Sequence, residues 1–209
     1  MYNLLCKIWQ FFASIKDSIL YKDCDFATWV VPEELVGHED KGNKYQPSTD
    51  SLKKVLKKMN VTSKDSIIDI GCGKGKAMYI MSRFPFFKVG GYDLSKDLVE
   101  IAKTNLAKLK VKNADVFVAD ANEYKDYDDY NYFYLFNSIP ENVFNKAIIN
   151  IKKSLDRKPR NCTFIYLNPV CDEAVKKIGF KEFYNYKSLI KWFNYRCYKY
   201  EVGDSNEKN

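Results

Sequence analysis

The amino-acid sequence predicts an α/β fold, a sheet of seven strands that is mostly parallel, with an antiparallel C-terminal hairpin and helices on both faces. Three observations predict it. From Ser66 onward, short runs of β-branched and aromatic residues alternate with segments of helical period, five times. Strands joined through helices run parallel by right-handed crossovers, which puts helices on both faces. The last two strand-like runs follow each other with only a short connection, so they pair antiparallel.

In chain order, residues 1–20 place Leu4, Leu5, Ile8, Trp9, Phe12, Ile15 and Ile19 at helical spacing, interrupted by Lys7, Lys16 and Asp17. The stretch lacks the charged start and small-residue cleavage site of a secretory signal. It reads either as a helix packed on its own domain or as an interfacial helix, the point of a peripheral membrane or protein contact. Residues 24–47 carry no sustained period and are punctuated by proline and glycine. We therefore take 1–44 as an N-terminal helix with an irregular cover segment, 45–202 as the main domain and 203–209 as a disordered tail.

Within the main domain, "SLKKVLKKM" puts Leu52, Val55, Leu56 and Met59 on one helical face, and "SIIDI" is a buried strand. "KAMYIMSRF" is a helix ended by Pro85, "FKVGGYDL" a strand and "SKDLVEIAKTNLAKLK" a helix. "DVFVAD" and "YNYFYLF" are strands, "ENVFNKAIINIKKSL" a helix, "CTFIYL" a strand and "DEAVKKIG" a short helix closed by Gly179. The aromatic strands "FKEFYNYKS" and "KWFNYRCYKYEV" complete the sheet.

Composition narrows the function. The chain has 209 residues, one domain's worth, and a formal charge of +7 spread along its length. The one compact basic cluster, "KKSLDRKPR", falls at a predicted helix end, where cations are favoured for electrostatic reasons, so there is no strong nucleic-acid signal. Six cysteines form no CxxC pair and there is a single histidine, so zinc-ligand spacing is absent and no metal is expected. Scattered thiols fit a reducing, cytoplasmic compartment, with the surface of a membrane as the alternative place. No window reaches the ~18 uninterrupted apolar residues of a membrane span.

The most informative stretch is "SIIDIGCGKGKAMYIM", in which glycines fill the first strand-to-helix turn. Ligands of open parallel sheets sit at such turns. The phosphate-loop pattern fails, because no glycine stands five residues before Gly73, and Gly75 follows Lys74 where Ser or Thr is needed. The dinucleotide pattern fails too, since Lys76 occupies its third glycine position. What is present is Asp-x-Gly-x-Gly-x-Gly, with Asp69 leading.

That loop resembles the one in class I S-adenosylmethionine-dependent methyltransferases, and the resemblance runs from about Tyr45 to the last strand. "VGGYDLS" ends the second strand with Asp93 and Leu94, "VFVADANEY" carries Asp120, Ala121 and Asn122, and "YLFNSIP" places Asn137 after the fourth strand. The layout is similar to small bacterial members and, more distantly, to the non-SET lysine methyltransferases. The resemblance implies a Rossmann-like seven-stranded methyltransferase sheet, with S-adenosylmethionine as cofactor and S-adenosylhomocysteine as product. It implies that Gly71, Gly73 and Gly75 pass under the methionine and ribose, that Asp69 meets the ligand's ammonium and that Asp93 takes the ribose hydroxyls. Asp120 and Ala121 then face the adenine edge, and Tyr45 covers the cofactor. Asn137 is the candidate catalytic residue, where donor and acceptor meet.

Each of these residues also has a purely structural role open to it: a turn brace for Asp69 and Asp120, a helix-start anion for Asp93, a loop amide for Asn137. Cys72 reads as a small filler, His38 as an exposed loop residue, and "YKDYDDYNYFY" as a loop entering a strand rather than an acceptor platform. The acceptor is not spelled out. Asn137 leans it toward an amine, such as a protein lysine. O-methyl transfer to a glycan or small molecule stays open, as does a non-catalytic cofactor-binding module acting through the N-terminal helix.

Overall fold

The computed structural model describes residues 12, 15–26 and 48–203. The expectations for residues 1–11, 13–14 and 27–47, Tyr45 and His38 among them, and for the tail beyond Gly203 lie outside the described residues. Residues 12 and 15–20 are helical, followed by a turn. The main domain then runs α1 (Ser51–Leu56), β1 (Ser66–Ile70), α2 (Lys76–Ser82), β2 (Lys88–Asp93), α3 (Lys96–Lys108), β3 (Ala114–Val118), β4 (Tyr132–Leu135), α4 (Glu141–Arg157), β5 (Cys162–Leu167), α5 (Asp172–Lys177), β6 (Lys181–Tyr186) and β7 (Tyr195–Tyr200).

The seven strands form one sheet in the order β3-β2-β1-β4-β5-β7-β6. β1 to β5 are parallel to their neighbours, whereas β7 runs antiparallel between β5 and β6. The chain order thus reverses between β1 and β4, and the carboxyl ends of these two central strands open onto the crevice where such sheets hold ligands. β1 is buried throughout, as a central parallel strand must be. Alternate residues go to opposite faces. Ile67 joins Leu52, Val55, Met78, Ile80 and Val99 beneath α1, α2 and α3. Ile68 and Ile70 join Phe133, Phe144, Ile148 and Phe164 beneath α4 and α5.

One expectation is corrected. Strand and helix do not alternate five times, because no helix links β3 to β4. The connecting residues 119–131 form a loop whose tyrosines do the work of a helix face. Tyr127 and Tyr130 are buried in the second core, and Tyr124 stacks beside Tyr92 and Phe117. The Tyr127 and Tyr92 hydroxyls bond at 2.7 Å, which satisfies both in the interior. Aromatic side chains cover enough sheet for thirteen residues without helical period to cross it.

The N-terminal segment packs against the glycine turn. Asp17 forms a buried ion pair with Lys76 at 2.5 Å, and Asp25 pairs with Lys74 at 2.7 Å. Asn105 of α3 donates to the carbonyls of both Asp25 and Lys74 at 3.0 Å. Tyr21 seats edge-on against Phe26 and Tyr79. Lys76, where a dinucleotide fold has glycine, is thus accommodated by a counter-charge brought from 59 residues away.

Candidate active site

The turn after β1 is built by glycines in conformations other residues avoid. Gly71, Gly73 and Gly75 have φ of +74°, +51° and +82°. The amides of Gly71 and Cys72 both donate to the Tyr92 carbonyl, at 3.0 and 2.9 Å, which ties the turn to β2. A Cβ on Gly71 would lie 2.2 Å from Ser138 Oγ, so the chain there passes hard against the loop after β4. Ser138 in turn donates to the Ile70 carbonyl at 2.8 Å. The ends of β1 and β4 are clipped together where their carboxyl edges meet.

Asp93, at the end of β2, accepts from the Gly73 amide on one oxygen at 2.9 Å and from the Ser95 amide on the other at 3.0 Å. It thus holds the glycine turn and starts α3, whose first turn is capped by Ser95 through the Leu98 amide. An ionised carboxylate accepts on both oxygens, the chemistry that vicinal hydroxyls call for. Leu94 lies half-buried between Asp93 and Ser95. Asp69 sits at the end of β1, buried, and both that burial and the nearby Asp93 push its carboxyl well above the usual range. A ligand ammonium would supply the counter-charge that an ionised Asp69 needs.

Asp120, just past β3, accepts from the backbone amide and the side chain of Asn122, each at 2.8 Å, in a self-closed turn. The Ala119 amide beside it donates to the Asp93 carbonyl at 3.0 Å, which brings the two strand ends together. Ala121 is buried in the second core, so what it offers a ligand is backbone. Asn137 follows β4 in the left-handed region, at φ +39°. Cys72 is buried and its thiol is pushed well up by burial, which suits the filler role.

Ser138, read in the sequence only as part of "YLFNSIP", is the clip described above. Another residue at this edge went unnoticed in the sequence. Asn168 lies two residues beyond Tyr166, the register partner of Leu135, as Asn137 lies two beyond Leu135 itself. It too is left-handed, at φ +55°, and its buried side-chain nitrogen finds no hydrogen-bond partner. The repeated Asn after parallel strands β4 and β5 is the sequence signal for it.

The turn fits S-adenosylmethionine on the structure's own terms. It has a glycine backbone turn held at positive φ, a strand-end carboxylate that accepts from that turn, and a buried acid beside it. The sequence profile of the methyltransferase domain matches residues 61–195, which takes in the turn, both acids and Asn137.

The chain belongs to the methyltransferase-domain family.

The chain is 36% identical over 74 residues to a probable cobalt-precorrin-6B C(15)-methyltransferase (decarboxylating) of Methanococcus maripaludis, covering 35% of this chain and 40% of that protein. The counterpart of the same description from Methanocaldococcus jannaschii is 30% identical over 122 residues, 58% of this chain and 61% of the relative. The chain thus spans about 40% to 60% of the length of these relatives. Among solved structures, an RNA methyltransferase from Salinibacter ruber in complex with S-adenosyl-L-homocysteine superposes with a TM-score of 0.58 at 13% identity, covering 75% of this chain and 94% of that one. A SAM-dependent methyltransferase from Aquifex aeolicus gives 0.55 at 16% identity, covering 80% and 97%. At such identities the likeness is one of fold, and the fold is the Rossmann-like methyltransferase sheet with its antiparallel C-terminal strands.

Proposed function

We propose that this methyltransferase transfers a methyl group from S-adenosylmethionine to an amine-type nitrogen. The observation that carries the cofactor part is Asp93, one carboxylate that both holds the glycine turn through Gly73 and sits at the end of the second strand, beside the turn. S-adenosylmethionine supplies a methyl group on a sulfonium, whose leaving thioether is neutral, so the protein's task is alignment. In this reading Gly71, Gly73 and Gly75 let backbone approach the ligand, Asp93 takes the ribose hydroxyls, and Asp69 opposes the ammonium.

Asn137 supports the amine. Its side-chain oxygen accepts an N–H and so turns the nitrogen lone pair toward the methyl group. An alkyl ammonium, with an ordinary pKa of about 10.4, must shed a proton first, and a water-excluding site favours the neutral amine. A second reading, methylation of a tetrapyrrole carbon, is favoured by the 36% identity to the Methanococcus relative. Membership of the cytoplasm stays part of the proposal; among the described residues no helix is long and apolar enough to cross a membrane.

Titration calorimetry and thermal shift with S-adenosylhomocysteine and NAD test the cofactor. S-adenosylhomocysteine at ~100 times its dissociation constant adds about 2.7 kcal/mol of stability, and NAD adds none. Asp93→Ala weakens the binding roughly 10- to 100-fold, the loss of a charged hydrogen-bond acceptor worth about 1.5–3 kcal/mol. No shift with S-adenosylhomocysteine, or an equal one with NAD, sinks the reading. Labelled methyl transfer to lysine peptides, tetrapyrroles and RNA then sorts the acceptor, and labelling of tetrapyrrole alone replaces the amine.

A further inference from the structure

The helix at the start of the chain turns Asp17 toward the domain. Asp17 is 3% exposed and paired with Lys76, and Tyr21 is 8% exposed against Phe26 and Tyr79. Phe12, Ile15 and Ile19, spaced three and four apart on one stripe, are 64%, 41% and 73% exposed, and Leu20 beside them is 57% exposed. An amphipathic helix packed for the domain's benefit alone would bury that stripe. Here an ion pair anchors the helix from the opposite side and presents the stripe outward.

The surroundings of the stripe are basic. Lys16 of the helix and Lys53 of α1 both reach Asp50, which sets the N-terminal helix beside α1. α1 and the turn after it carry Lys54, Lys57 and Lys58, all exposed, and Lys22 is exposed at the other end. An apolar stripe flanked by lysines matches a surface that offers acyl chains beneath anionic headgroups.

We propose that this methyltransferase docks on anionic lipid membranes, with Phe12, Ile15, Ile19 and Leu20 inserted into the interface and the lysines of α1 over the headgroups. The binding is peripheral and reversible, since a single short stripe with basic support lies on a bilayer rather than spanning it. The docking element is joined to the cofactor turn by Asp17 and Lys76, so the glycine turn is held at a fixed position relative to the lipid surface. The inference stands independently of which acceptor is methylated.

The test is flotation of the full chain with vesicles of phosphatidylcholine, with and without phosphatidylglycerol. The expected result is binding to the anionic vesicles that falls as salt rises, with little binding to phosphatidylcholine alone. An Ile15→Ser/Ile19→Ser/Leu20→Ser variant alters only exposed side chains, so it keeps the melting temperature and loses roughly tenfold or more in vesicle affinity. A Lys54→Glu/Lys57→Glu/Lys58→Glu variant loses the salt-sensitive part. Absence of binding to anionic vesicles by the full chain overturns the proposal, as does undiminished binding by the serine variant. A dimer in sedimentation that disappears in the serine variant, without vesicle binding, assigns the stripe to a second copy and likewise overturns it.

Discussion

Replacing Asp17 by alanine strikes the joint between the N-terminal segment and the cofactor turn. The Lys76 ammonium is 5% exposed, and its partner oxygen on Asp17 lies 2.5 Å away. Burial holds the Asp17 carboxyl above its usual range in spite of Lys76, so the pair is held at a desolvation cost. Removing one member leaves the other buried without its counter-charge, which costs about 3–5 kcal/mol. For a chain of this size each kcal/mol lowers the melting temperature by about 2–4 °C, so Asp17→Ala is expected to lose roughly 6–20 °C in differential scanning calorimetry. Lys76→Met in the same chain removes the stranded charge and keeps the apolar stem. The double variant is therefore expected to return to within about 1–2 kcal/mol of the parent, giving a coupling energy of at least about 1 kcal/mol in the double-mutant cycle. A fall of less than about 2 °C in Asp17→Ala, or a double variant no better than the single, refutes the account of Lys76 as a charge that depends on the N-terminal segment. By the same reasoning, deleting residues 1–44 removes Asp25 and Asp17, the ion-pair partners of Lys74 and Lys76, and destabilises the domain.

Three further outcomes are expected. Gly71→Ala forces a side chain into the left-handed region, at about 1–2 kcal/mol, and drives its Cβ to 2.2 Å from Ser138 Oγ, so S-adenosylhomocysteine binding collapses in calorimetry and Ser138→Gly recovers it only in part. Affinity for S-adenosylhomocysteine rises with pH through the raised pKa of Asp69, because the ligand ammonium favours the ionised acid, and falls again below it; Asp69→Asn flattens that pH profile. Asp128 is held down to about 2 by hydrogen bonds from Arg157 and Ser154, so its contribution is complete above the ordinary carboxylate pKa of about 3.9 and is lost as pH falls through about 2. Urea denaturation accordingly finds the gap between parent and Asp128→Asn constant above pH about 5 and closed near pH about 2.

Much of the molecule was legible in the sequence. Strands and helices announced themselves through short-range period, and the glycine turn through residue types that only certain backbone angles require. "SIIDI" reads as a buried strand because every residue in it is covered on one face or the other, and Gly71, Gly73 and Gly75 do take positive φ. Asp69, Asp93 and Asn137 fall at the carboxyl edge because each lies at or just past a strand end, and strand ends follow from local pattern. The short connection gave the antiparallel C-terminal pair, and the pairing of β6 with β7 agrees with it.

Tertiary structure alone decided what depends on residues far apart in the chain. The tyrosines of residues 119–131 replace a crossover helix because the face of β2 and β3 that they cover lies beneath them, and no periodicity within the loop records that. Asp17 and Asp25 carry no motif, yet they lie 59 and 49 residues from the lysines they neutralise, and only the fold brings those charges together. The same is true of Ser138 against Gly71 and of Asn168 beside Asn137, where strand register sets the neighbours. The helix at the start shows the division most plainly. Its apolar stripe was evident from spacing, but whether the stripe faces the core or the solvent was settled by a single buried ion pair on its opposite side, because pairing Lys76 fixes the rotation of the helix and leaves Ile15 and Ile19 outside.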